Sequence, residues 1–427
     1  MQAQQPAVPF SGYQKFVIFI LAITQFTVIL DFMVMSPLGD MLMKSLSLKP
    51  QAFGFAVSAY AFSAGISGLL TAGFADRFDR KKLLLFFYCG FILGTIFCGM
   101  AQSYAVLVAA RIITGWFGGV IGSISMAIIT DMFALQQRGR VMGFIQMGFG
   151  GSQVLGVPIG LYLANLWSWE APFWMVAGLS IAIAIAIAFY LKPITAHLAV
   201  QRDKSAFEHL LHTVAKADYR VGFTATALLS IGGFMMMPFG SAFAINNLKI
   251  TNHQLPMLFM VSGVSSLFIM PLIGKLSDKI DKFKIFAVAS VWMMIMCVVY
   301  TNLTATPLWL VMALNILMMM GIMSRMIPSS ALTSAIPEMA DRGAFMSINA
   351  SLQQIAGGIA AAVAGMIVSQ PSKGAPLVNY NVVGYVIVSI SMLSIFTLWR
   401  VDQLTKKRME SKKVVIPEGE AVLSEGF

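Results

Sequence analysis

The sequence predicts an all-α integral membrane protein, twelve transmembrane helices in two pseudo-symmetric six-helix bundles, and three observations carry the prediction. The 427-residue chain is 58% hydrophobic and 11% charged, with a mean hydropathy of +0.80. Soluble proteins run at about 45–50% apolar, so this chain has more apolar surface than a soluble core can bury. The apolar residues fall in continuous runs, and a hydrocarbon core about 30 Å thick takes roughly 20 residues of helix. The second half of the chain also echoes the first.

The first run, 16–39, leads into Pro37 and Asp40 without a small-residue cleavage site, so it reads as a retained span and not a signal peptide. Runs 52–75 and 83–101 follow, divided by the charged stretch ADRFDRKK at 75–82. Runs 105–132 and 141–165 flank the polar segment LQQRGR, and 171–191 closes the first six. Segment 192–220 is polar, but its Phe207, Leu210, Leu211 and Val214 have helical spacing with Lys and His opposite, which predicts a helix lying along the membrane surface. The second six runs are 221–247, 253–274, 284–301, 306–336, 344–369 and 381–399. All are rich in Ala, Leu, Ile and Met, whereas barrel strands alternate over about ten residues. No long loop remains for a separate enzyme domain.

Internal repetition sets the division into halves. MSPLGDML at 35–42 is echoed by MMPFGSAF at 236–243, and ADRFDRKKLLLF at 75–86 by SDKIDKFKIFAV at 277–288. TDMFALQQRGRVMG at 130–143 likewise faces PEMADRGAFMS at 337–347. The expected organisation is a bundle over 1–191, a linker over 192–220, a second bundle over 221–401 and a tail over 402–427. Two similar halves in a membrane suggest a transporter in which one half rocks against the other around a midplane site.

Lysine and arginine orient the chain, because cytoplasmic loops carry the positive excess. With the N-terminus inside, only Lys44, Lys49, Lys249 and Lys373 fall outside, while Arg111 and Arg325 lie within spans. Both termini are therefore expected in the cytoplasm, in a bacterial inner membrane. The net charge of +11 is read as topology and lipid-headgroup contact, not as a nucleic-acid surface. Cys89, Cys98 and Cys297 sit inside spans without metal-like spacing and are read as packing residues. No His/Asp/Glu metal spacing or nucleophile constellation appears, so neither an enzyme nor a cofactor is expected.

Twelve spans in two halves, with ADRFDRKK between the second and third and SDKIDKFK between the eighth and ninth, resemble the major facilitator superfamily. The family's repeated signature is Gly-x-x-x-Asp-Arg-x-Gly-Arg-Lys; here Ala72 stands where the first glycine is usual and Asp79 replaces the second. The resemblance implies a conformational latch, in which the loop's Asp and Arg bond a carboxylate at the end of the fourth helix. The matching residues are Asp76, Arg80 and Asp131, and in the second half Asp278, Lys282 and Glu338. Lys81 and Lys82 read as topology charges, whereas Asp76 and Asp131 add nothing to a positive-inside rule. The fifth span, GFGGSQVLGVPIGLYLA, has Gly156, Pro158 and Gly160 and resembles the form found in twelve-span drug and sugar:proton antiporters, which implies export.

Charges inside spans are the sharpest functional signal, because each is costly in hydrocarbon unless paired or facing water. Asp31 lies roughly 24 Å along the first helix from Lys15 at about 1.5 Å per residue, on a face with Thr24, Thr27 and Met35. Arg111 shares a side with Gly115, Gly118, Gly119 and Gly122, and Arg325 lies one turn from Ser329. In the resembling family the first, fourth, seventh and tenth helices line the central cavity, which implies that all three charges face it. A lone buried acid beside an arginine tracks conformation through its protonation, so Asp31 with Arg111 is the expected proton-coupling pair. Thr24, Thr27, Gln146, Gln153, Arg325, Asn349 and Gln353 are the expected cavity residues, with Asn246 and Asn315 as further polar candidates.

The function expected is that of a monomeric, proton-coupled exporter of small amphipathic molecules, multidrug-like, working by alternating access among membrane lipids. The alternatives are a proton-coupled or facilitative transporter of a sugar, siderophore or organic anion, and a lysolipid translocator.

Overall fold

A capping box starts the chain's first helix: Ser11 Oγ accepts from the Gln14 backbone N–H at 3.2 Å and Gln14 Oε1 accepts from the Ser11 N–H at 3.0 Å. Each cap satisfies an amide that the first helical turn leaves free. The computed structural model describes residues 9–71, 77–195, 198, 206–338 and 341–414. Its twelve membrane-length helices are α1 (Gly12–Val34), α2 (Pro50–Thr71), α3 (Arg80–Gly99), α4 (Tyr104–Met132), α5 (Arg140–Leu166), α6 (Ala171–Tyr190), α7 (Ala217–Asn246), α8 (Leu255–Lys279), α9 (Lys282–Thr301), α10 (Leu308–Ser334), α11 (Arg342–Ile367) and α12 (Tyr380–Lys407). An even number of crossings brings both chain ends to one face, called here the terminal face; the other is the distal face. Among the described residues the one β feature is an isolated bridge between Ser369 and Val378. The protein is a multi-pass membrane protein, with twelve apolar helices among the described residues.

The repeated segments form matched breaks at the distal face. After α1 ends at Val34 the chain turns through Pro37 and restarts as a short helix, Gly39–Ser45. In the second half α7 pauses in a 3₁₀ turn, Met237–Phe239, containing Pro238, and resumes over Gly240–Asn246. Proline lacks the N–H that a continuous helix needs, so each break falls where the sequence repeats Pro. The first run thus ends earlier than the predicted 16–39, because Pro37 ends it.

Between the halves, α2 packs on α11 and the distal part of α5 on α8. Glycine permits the first crossing: a Cβ on Gly54 would lie 2.7 Å from the Ala361 carbonyl oxygen and 3.0 Å from the Gly365 Cα. In α5 a π-helical turn, Ser152–Gly156, precedes Pro158. Such turns insert one extra residue and frequently mark functional sites, and this one meets α8, where a Cβ on Gly263 would lie 2.9 Å from the Gln153 carbonyl oxygen.

The linker helix, Ala206–Ala215, packs on α11 and α7. Its Leu210 is buried against the second bundle while Leu211 and Val214 are exposed; the Phe207 side chain is outside the described residues. The predicted apolar face is therefore split, because Leu210 and Thr213 turn toward protein. The last helix runs on to Val414, well past the predicted 381–399, and Lys406 on this extension bonds Asp281 at 2.8 Å and Asp402 at 2.6 Å.

Candidate functional site

Asp31 and Arg111 are each 0% exposed and form one ion pair, Arg111 Nη1 donating to Asp31 Oδ2 at 2.7 Å and to the Asp31 carbonyl at 3.4 Å. Thr95 Oγ1 on α3 donates to the other carboxylate oxygen at 3.2 Å. The guanidinium carbon lies 4.5 Å from the Tyr60 ring centroid on α2, and Arg111 Nε and Nη2 are buried without a hydrogen-bond partner. Four helices therefore converge on one ion pair. A buried charge pair survives only where its geometry is tight, since desolvation of each ion costs several kcal/mol.

The pair faces the interior of the first bundle, not the central cavity that the resemblance implies. The face of α1 bearing Thr24, Thr27 and Asp31 is wholly buried, and Thr27 is hydrogen-bonded to the Tyr88 hydroxyl at 2.9 Å and the Thr24 carbonyl at 2.8 Å. The glycines beside Arg111 do packing work that explains this. A Cβ on Gly119 would lie 2.5 Å from the Ala64 Cα, and one on Gly115 would lie 2.9 Å from the Tyr60 Cα. They let α2 close over α4 and seal the arginine. Arg325 is also turned inward, 3% exposed, with its guanidinium carbon 5.6 Å from the Phe286 ring centroid on α9.

The polar candidates scatter. Gln153 accepts from Ser266 Oγ across the halves at 3.2 Å. Gln146 and Gln353 are exposed, and Asn349 is half-buried with its Oδ1 unpartnered. A small pocket between the halves is lined instead by Gln354, together with Phe32, Val57, Phe234 and Met237. One position along α11 turns a side chain by about 100°, so Gln354 and not Gln353 lines this pocket.

The latch residues of the first half meet: Arg80 Nε donates to Asp131 at 3.0 Å, and Asp76 lies outside the described residues. Asp79, which replaces the usual glycine, caps α3 by accepting from the Lys81 N–H at 2.9 Å, and also accepts from the Ile194 N–H at 3.0 Å. Its repeat partner Asp281 caps α9 through the Lys284 N–H at 3.1 Å. In the second half Asp278 is exposed, Lys282 donates to the Ser277 carbonyl at 3.1 Å, and Glu338, exposed, is 3.9 Å from Lys216. The bonded acid there is Asp341, three residues on. It accepts from Lys216 at 2.5 Å and from the Tyr219 hydroxyl at 2.7 Å, with His209 at 3.3 Å. The Lys216 ammonium holds the Asp341 carboxyl below the usual carboxylate range, aided by the Tyr219 hydroxyl. A depressed acid stabilises above its unfolded pKa, about 3.9, and loses that contribution as pH falls through its lower folded value. Asp341 is therefore charged throughout the neutral range and carries no proton there.

The distal face is closed. Ser241 Oγ donates to the Ser36 carbonyl at 2.8 Å, Asn246 Nδ2 to Asp40 Oδ1 at 2.6 Å, and Asn165 Nδ2 to the Asn252 carbonyl at 2.9 Å. Phe53 and Phe239 meet edge to face at 5.9 Å. Among the described residues, no hydrogen bond between the halves lies nearer the terminal face than Gln153 to Ser266.

A helical membrane fold in two halves is what comparison with known proteins also returns. The sequence profile of the Major Facilitator Superfamily matches residues 21–216 and 222–424. This chain belongs to the major facilitator superfamily. Relatives include the MFS-type transporter YceJ of Bacillus subtilis (strain 168), 26% identical over 60% of this chain and 65% of that protein. A protein named a probable sugar efflux transporter in Helicobacter pylori (strain G27) is 24% identical over 43% of this chain and 48% of its own length. The chain thus spans less than two thirds of either relative. The crystal structure of a D-xylose–proton symporter shares the fold with a TM-score of 0.75 at 15% identity, covering 91% of this chain and 97% of that one. Members of this superfamily are transporters of small molecules and not enzymes.

Proposed function

We propose that this superfamily member is a proton-coupled exporter of small amphipathic molecules, working by rocker-switch alternating access with Asp31 as the coupling acid. The observation that carries the reading is the Asp31–Arg111 pair, two opposite charges 2.7 Å apart, 0% exposed, on different helices. A movement of α1 against α4 changes that separation and with it the acid's hold on a proton. The terminal face is placed in the cytoplasm because segments 77–82 and 275–284 and the last-helix extension concentrate Lys and Arg there. Gln354 amid Phe32, Val57, Phe234 and Met237 suits an amphipathic substrate better than a polyhydroxyl one, which needs many hydrogen-bond partners. Export is favoured by the Gly156, Pro158, Gly160 pattern and by the efflux named for one relative.

Purified protein in liposomes with an imposed pH gradient tests the reading. Amphipathic cations and anions, sugars and lysolipids are added in turn, and one amphipathic class is expected to move protons. Substrate flux with no proton movement would refute coupling, and proton movement with sugars alone would refute the substrate class.

Arg80 and Asp131 are read as a latch favouring this distal-closed state. Removing about 1.4 kcal/mol from one state alone shifts a two-state population tenfold. Asp131→Asn is therefore expected to cut the transport rate by about that factor while membrane insertion and thermal stability hold. A wild-type rate in that variant would end the latch assignment.

A further inference from the structure

Arg325 presents a charge problem that the transport reading does not use. Its guanidinium is 3% exposed in a span, its Nε and Nη2 atoms are buried with no hydrogen-bond partner, and among the described residues no carboxylate lies within salt-bridge distance of it. By contrast Arg111, buried in a span of the first bundle, has its own acid at 2.7 Å. An isolated cation in hydrocarbon costs several kcal/mol, so a charge of opposite sign beside it is favoured, and none of the described residues supplies it.

Two further unpartnered groups stand in the same layer. Trp292 Nε1 on α9 donates to the Leu317 carbonyl on α10 at 2.9 Å, and a Cβ on Gly321 would lie 3.4 Å from the Met293 Cβ. One turn beyond Gly321, Arg325 has its guanidinium near Phe286, so Ser290, between Met293 and Phe286 on the antiparallel α9, shares its depth. Cys297 Sγ on α9 meets the Gly384 carbonyl on α12 at 3.8 Å. Seven residues toward the terminal face along each antiparallel helix arrive at Ser290 and Ser391. Both serine hydroxyls are buried with no partner. Ser391 Oγ also lies 3.8 Å from where a Cβ on Gly232 of α7 would stand, so a glycine leaves room beside it.

We propose that Arg325, Ser290 and Ser391 form a binding site for a small monovalent anion inside the second bundle. Guanidinium N–H and hydroxyl O–H groups are all donors toward such an ion, and one negative charge neutralises one arginine. A dianion would leave net charge buried. Arg325 lies nine residues inside the terminal end of α10, about 14 Å at 1.5 Å per residue, so the ion enters from that face. The site is independent of proton coupling at Asp31, which sits in the other bundle.

The test measures thermal unfolding of the purified full-length protein at fixed pH and ionic strength, exchanging sodium gluconate for sodium chloride. A saturable rise of several degrees with chloride is expected, reproduced by bromide or nitrate. Acetate in place of chloride distinguishes a carboxylate occupant from an inorganic one. Arg325→Gln is expected to abolish the rise, and the Ser290→Ala, Ser391→Ala double variant to raise the half-saturating chloride concentration several-fold. Should Arg325→Gln fail to fold, the serine variant decides. Equal midpoints in chloride, bromide, nitrate, acetate and gluconate would overturn the site, as would a chloride response unchanged in the serine variant. Neither result would touch the liposome test of proton coupling.

Discussion

Asp31→Asn is expected to abolish uphill, pH-driven transport while sparing substrate binding and downhill exchange. The amide keeps the shape of the carboxyl and the hydrogen bond from Thr95, but it can neither lose a proton nor balance Arg111. Deleting one partner of a buried ion pair typically costs about 3–5 kcal/mol, so the single variant is also expected to melt earlier. The double variant Asp31→Asn, Arg111→Gln separates the two effects. With both charges gone the buried layer is neutral, and much of the lost stability should return while uphill transport stays absent. If uphill transport returned together with stability, Asp31 would be a structural acid and coupling would lie elsewhere. Full uphill activity in the single variant at normal expression would discard the proton-coupling proposal at this residue outright.

Gly54→Leu is expected to prop the distal face open. The positions closest to its new Cβ are main-chain atoms, the Ala361 carbonyl oxygen at 2.7 Å and the Gly365 Cα at 3.0 Å, which cannot swing aside as a side chain does. Overpacking of this kind costs about 1–3 kcal/mol. Because the penalty falls on the closed state alone, it corresponds to about 5–150-fold in population. A cysteine placed at Phe239, buried in the seal, is expected to react with a membrane-impermeant reagent from the distal side at a rate raised by that order, and transport should fall in parallel. Unchanged labelling with normal transport would mean that α2 and α11 do not part at this crossing.

The residues differ sharply in how far the sequence alone could place them. Pro37 and Pro238 break their helices locally, although the apolar runs 16–39 and 221–247 continue through both. The charged loops announced the spans around them because charge is excluded from hydrocarbon. Azimuth was harder. In a soluble helix the polar stripe shows which face is out, but lipid is as apolar as a bundle core, so α1 and α11 carry no such stripe. Asp31 was legible as a buried acid, yet nothing on α1 told that it turns toward Thr95 and Tyr60 and not toward the cavity. Gln353 and Gln354 are adjacent, and only packing against α2 and α7 chose between them. Thr95, a hydroxyl alone in ILGTIF, was the available signal for the acid's third partner. Asp341 was displaced from view by Glu338, which matches the fourth-helix carboxylate in the repeat, whereas the linker that supplies its Lys216 and His209 has no counterpart in the first half.

The linker acts as a leash. At one end Ile194 is tied to the first bundle, its N–H bonded to Asp79 and its carbonyl accepting from the Arg80 N–H at 3.2 Å. At the other, the helix from Ala206 is moored to α11 and α7. Twelve peptide steps join the two moorings, and a fully extended chain covers at most about 3.6 Å per step, roughly 40 Å in all. That contour length caps how far the terminal ends of the bundles can swing apart, whatever drives the stroke. It also holds the two halves at a high mutual effective concentration, so parted surfaces find each other again without a search through the bilayer.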